Sequence, residues 1–93
     1  MLDLEPRNKY EIEYTDTFVG EANYCWVKRS TFEMPLAQND DYASRKRYIA
    51  TLKKRAKQLV GLTGLRGEWS EYGDCLEFRP RGMCVVLFVN YVD

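Results

Sequence analysis

Residues 41–62, DYASRKRYIATLKKRAKQLVGL, decide how this chain is read. Tyr42, Ile49, Leu52, Ala56, Leu59 and Val60 recur at steps of three and four, which places them on one face of a helix of about six turns. Lys46, Arg47, Lys53, Lys54 and Lys57 fall around the other side. Asp40 and Asp41 stand at the start, where carboxylates meet free amides and the positive end of the helix dipole. Gly61 and Gly64 follow the apolar run and offer a left-handed stop. The spacing therefore predicts a helix over 41–62, apolar on one side and strongly basic on the other.

The charge around that helix is segregated. The chain has 93 residues, 14 basic and 14 acidic, and no histidine. Eight of the basic residues lie between positions 45 and 66, a segment with no acidic residue. The remaining segments carry a net charge of −8, so a basic helix is set in an acidic chain. Ninety-three residues suffice for one domain, 1–93, with one modest core.

Outward from the helix the periodicity changes to two. KYEIEYTDTF, 9–18, alternates: Tyr10, Ile12 and Tyr14 face one way, Glu11 and Glu13 the other. Val19, Gly20 and Glu21 form a turn, and residues 22–34 return as the second strand of a hairpin. Tyr24, Trp26 and Phe32 share one parity there, so an uncovered aromatic sheet face is expected. After the helix, 68–72 and 75–79 read as two further strands about Gly73-Asp74. Pro80-Arg81-Gly82 reads as a tight turn with proline at the first central position. The run MCVVLFVNYV, 83–92, reads as a central strand covered on both faces. Residues 1–8 lack periodicity and are expected to fray. The fold class is α+β: a two-layer sandwich with an antiparallel sheet of four to five strands, in ββαββ(β) order, and one helix across one face.

Chemistry-bearing patterns are few. Cys25, Cys75 and Cys84 are an odd set without metal-ligand spacing, which predicts core thiols, a reducing compartment and no metal site. A nucleophile would lack its histidine base. Asp74, Glu77 and Arg79 are loosely like the carboxylate and cation set of metal-dependent nucleases, but an exposed strand face gives that pattern by chance. No phosphate-cradling glycine loop opens a helix. The expectation is no enzyme, no catalytic residue and no cofactor. Residues 1–10 are too polar for a signal peptide and no apolar run spans a bilayer, which predicts a cytoplasmic protein away from membranes.

Three patches carry a resemblance: GEANYCWV at 20–27, AKQLVGLTG at 56–64, and YGD at 72–74 with RPRGMCV at 79–85. Together, from Tyr10 onward, they resemble small accessory proteins of tailed bacteriophages and prophages. The resemblance implies expression in the host cytoplasm. It implies a role like that of anti-CRISPR and other host-inhibitory proteins, which act by binding, and it assigns no site residues.

The expected function is thus a non-enzymatic interaction module that binds and modulates a host protein. Its expected contact residues are Arg47, Lys54 and Lys57 on the helix and Glu11, Glu13, Tyr24 and Trp26 on the strands. Electrostatic steering by a surface matching both signs motivates the set. A second copy of the chain is the other candidate to cover the aromatic face. The alternative is a nucleic-acid-binding module using the basic helix 45–57, with Lys and Arg on phosphates.

Overall fold

The computed structural model describes residues 7–36 and 41–92. Its elements are β1 (Arg7–Phe18), β2 (Glu21–Pro35), α1 (Tyr42–Leu59), β3 (Gly67–Tyr72), β4 (Cys75–Pro80) and β5 (Val85–Tyr91). The strands form one five-stranded sheet in the order β2-β1-β5-β4-β3, and every neighbouring pair is antiparallel. The apolar run of the last strand therefore fills the centre, and β2 and β3 are the edges. Of the segment expected to fray, Arg7 and Asn8 pair with Pro35 and Met34; residues 1–6 lie outside the described residues.

The helix packs on the face that holds Tyr10 and Ile12 of β1, Val89 and Leu87 of β5, Leu76 and Phe78 of β4, and Phe32 and Met34 of β2. Leu52 and Ala56 enter this cluster at 2% and 0% exposure. Glu11 and Glu13 lie on the opposite face, as the alternation predicts.

α1 ends through paired hydrogen bonds: Leu62 N donates to Lys57 O at 2.8 Å and Gly61 N to Gln58 O at 3.3 Å. Gly61 takes the left-handed φ of 76° that this stop requires. The turn swings Leu62 into the core. Leu59, read as a core residue, is 49% exposed. It overhangs the Lys28–Ser30 part of β2, which offers no large apolar side chain. Tyr42, in the first turn, is likewise exposed. Asp41 is the N-cap residue, but its carboxylate makes no cap hydrogen bond to a helix amide; the Ser44 hydroxyl beside it lowers its pKa. Asp40 lies outside the described residues.

Three further expectations are corrected. Cys25 and Cys84 are exposed and only Cys75 is half-buried, so the cysteines are not core fillers. In the β4–β5 turn, Met83 N donates to Pro80 O at 3.4 Å, so Arg81 and Gly82 are the central residues and Pro80 ends the strand. The aromatic residues of β2 do not share one face: Tyr24 is exposed on the side away from the helix, as is Tyr72 of β3. Phe32 is buried on the helix side, and Trp26 packs edge-on against Tyr14 at 5.2 Å between ring centres. The chain itself closes part of the far face: Arg79 Nη1 donates to Gly20 O at 2.6 Å, drawing the β1–β2 tip toward β4. Thr15 and Val86 beneath it are fully buried.

Candidate protein interface

Tyr24 leaves the parity of its neighbours because β2 bulges. Asp16 alone faces Asn23, Tyr24, Cys25 and Trp26, between the pairs Thr15↔Val27 and Thr17↔Ala22. Its carboxylate accepts from Asn23 Nδ2 and Cys25 N, each at 2.9 Å, and the Asn23 bond leads the lowering of its pKa. Thr15 Oγ1 donates to Trp26 O at 2.8 Å and accepts from Tyr24 N at 3.1 Å. Tyr24 adopts a left-handed φ of 54°, which turns its hydroxyl onto Glu13. That hydroxyl is the main cause holding the Glu13 carboxyl below its ordinary range, and Arg29 Nε, 3.0 Å away, adds to it. Tyr24 and Trp26, expected to act together, stand on opposite sides of the sheet.

The far face carries the ion pairs Glu13–Arg29 and Glu77–Arg79. Arg29, Glu13, Phe88, Glu77 and Ser70 register across all five strands. Glu77 is 6% exposed and Arg79 Nη2 meets it at 2.7 Å. Glu11 is half-buried in the same sheet face. Burial, then Glu77 and Glu13, push the Cys75 thiol up, so it is a poor nucleophile. Asp74 lines a small cavity on the helix side with Leu76 and Val89, whereas Glu77 points the other way. The two carboxylates do not converge on one site. Among the described residues no group of three His, Cys, Asp or Glu side chains is placed to hold a metal.

The helix side differs. Lys53 Nζ lies 5.2 Å from the centre of the Trp69 ring and Lys57 Nζ lies 4.8 Å from that of Phe78. Arg55 stands over Phe32 at 5.6 Å. Lys57 Nζ also donates to Leu65 O at 2.6 Å. These long side chains lay their stems over the sheet and keep the charge at the rim. Lys57, expected as a contact residue, is thus part of the packing. Lys54 and Arg47 remain on the outside as expected; Arg47 Nη2 donates to Ser44 Oγ at 3.4 Å.

Between α1 and β3 runs a groove of two adjoining hollows that share Ala50 and Lys53. One, about 490 Å³, has Lys54, Lys57 and Trp69 in its walls; the other, about 600 Å³, has Tyr42, Lys46, Ile49 and Glu71. Lys46 and Lys54 have no ion-pair partner among the described residues. The sequence reading missed Trp69, Lys46 and Lys53 as groove residues. The basic spacing of the helix was visible, but only the chain path brings β3 beside it. The acidic far face and the basic groove lie back to back, so no single flat contact meets both.

Comparison with family models, with curated proteins and with solved structures finds no match.

Proposed function

We propose that this chain is a non-catalytic interaction module that binds and modulates a host protein, the role implied by its resemblance to accessory proteins of tailed bacteriophages. The observation that carries this reading is the α1/β3 groove, basic along one wall and aromatic at its base, beside an edge strand. A concave, charged and partly apolar cleft suits a protein segment.

The nucleic-acid alternative draws on the same lysines and is weaker. Base stacking needs an open aromatic face. Trp69 has Lys53 over its ring and Phe78 packed against it at 4.8 Å, so it is poorly placed as a platform.

The test is affinity capture from host lysate with the wild-type chain and a Lys46→Glu/Lys54→Glu variant, followed by mass spectrometry. One host protein retained in stoichiometric amount by the wild type and lost by the variant supports the reading. Recovery of nucleic acid alone, or no retained protein, sinks it.

A further inference from the structure

β3 is an edge with an open hydrogen-bonding side. It pairs only with β4. Arg81 N donates to Arg66 O at 2.8 Å, which fixes the phase of the ladder. By antiparallel alternation, Glu68, Ser70 and Tyr72 exchange hydrogen bonds with β4. The backbone N–H and C=O groups of Gly67, Trp69 and Glu71 therefore point away from the sheet. None of them has a hydrogen-bond partner outside the ladder among the described residues. The other edge, β2, is a poor template: it carries the bulge opposite Asp16 and ends in Pro35. β3 has neither device over its six residues.

The groove lies above this same edge. The side chains of Trp69 and Glu71 share the helix face with their sheet partners Phe78 and Leu76. A strand added beside β3 would send alternate side chains up against α1, where Lys46, Lys53 and Lys54 line the wall, with Glu71 the one acidic residue among the groove residues. The intervening side chains would point down beside Glu68, Ser70 and Tyr72.

Resting on the protein-binding reading, we infer that an extended segment of the partner, acidic at every second position, adds to β3 as a sixth strand beneath α1. The open amides of β3 supply affinity that is independent of sequence, and the helix lysines select acidic residues on the upper side. Two copies of this chain meeting edge to edge would instead bring the lysine walls of the two grooves against each other.

The test is selection of displayed random peptides of roughly twelve residues on the full chain, then amide hydrogen exchange with the enriched peptides. The expected peptides carry Asp or Glu at alternating positions. Their binding slows exchange at Gly67, Trp69 and Glu71 and leaves Glu68 and Ser70 unchanged, because those amides are already paired. Lys46→Glu and Lys54→Glu each weaken binding about tenfold while the fold is retained, since both side chains are exposed. Enriched peptides without the acidic alternation, or that leave those three amides exchanging freely, overturn the inference, and the host-protein reading then stands on the lysate capture alone. A selection that enriches nothing overturns it too. Slowing of the same amides with the chain's own concentration, without peptide, would make a second copy the occupant and also overturn it.

Discussion

Lys53 Nζ lies 5.2 Å above the centre of the Trp69 ring, and this contact ties the basic helix to the edge strand of the sheet. The helix lysines are thus of two kinds. Lys53 and Lys57 hold the helix to the sheet, whereas Lys46 and Lys54 face outward.

That division sets the first prediction. Lys57→Ala removes a hydrogen bond to Leu65 O and a cation over Phe78, and is expected to cost about 1–2 kcal/mol in urea unfolding. Lys54→Ala is expected to stay within about 0.5 kcal/mol of wild type. Equal costs for the two would show that Lys57 is solvated like its neighbour.

Burial separates two leucines that share one helical stripe. Leu52→Ala is expected to cost about 2–5 kcal/mol, because the side chain is 2% exposed in the core. Leu59→Ala is expected to cost less than about 1 kcal/mol at 49% exposure. Denaturation midpoints of the two variants decide the matter, and reversed magnitudes would mean a rotated helix.

Two backbone positions should respond in opposite directions. The β1–β2 hairpin turns through Val19 and Gly20, both at positive φ, 52° and 81°. A β-branched residue is strained there and asparagine is not. Val19→Asn is expected to stabilise by about 1 kcal/mol, read as a raised melting temperature. A Cβ on Gly67 would collide with the Arg79 carbonyl oxygen. Gly67→Ala is expected to destabilise by about 1–3 kcal/mol; a neutral result would show that β3 shifts freely on β4.

Acid should act through Glu13. Its carboxyl titrates below the ordinary value of 4.5, chiefly because the Tyr24 hydroxyl and Arg29 favour the ionised form. A depressed folded pKa gives stability that is complete above 4.5 and is lost as pH falls through the lower folded value. Wild type is expected to exceed Glu13→Gln by less than about 1 kcal/mol at neutral pH, since the pair is partly solvated. The gap should close as pH is lowered below 4.5 through the depressed folded value. A gap constant across that range would remove Glu13 from the acid response.

Nucleic-acid binding is expected to stay at non-specific levels, roughly 10⁻⁴–10⁻⁶ M at physiological salt. The segments outside 45–66 carry a net −8 that repels a polyanion. If Arg47, Lys54 and Lys57 each met one phosphate of duplex DNA, the log–log salt slope would be about −2.7. Tight binding with that slope, abolished by replacing all three with Gln, would promote the nucleic-acid alternative.

Much of the architecture was legible because local rules decide it. The alternation in β1 put Tyr10 and Ile12 on one face and Glu11 and Glu13 on the other. The glycine after the apolar helix stripe marked a left-handed stop that Gly61 provides. The apolar run near the end of the chain became the central strand over Val85–Tyr91, with Val86, Leu87 and Val89 buried and Met83 and Val92 beyond its ends exposed.

What sequence could not determine depends on which distant segments meet. Tyr24 and Trp26 share a parity, but the bulge opposite Asp16 inserts residues into one strand and sends them to opposite sides. Leu52 and Leu59 share a helical stripe, but only Leu52 lies over large apolar partners. Lys54 and Lys57 look equivalent until Leu65 and Phe78 come beneath one of them. The groove follows from the strand order β2-β1-β5-β4-β3, which sets β3 at the edge beneath the basic flank of α1. By itself the sequence determined the elements, their periodicity and the segregation of charge, because each rests on neighbours within a turn or a pleat. Tertiary structure decided the edge, the groove and the lysines left facing outward, because those arise from contacts between residues far apart in the chain.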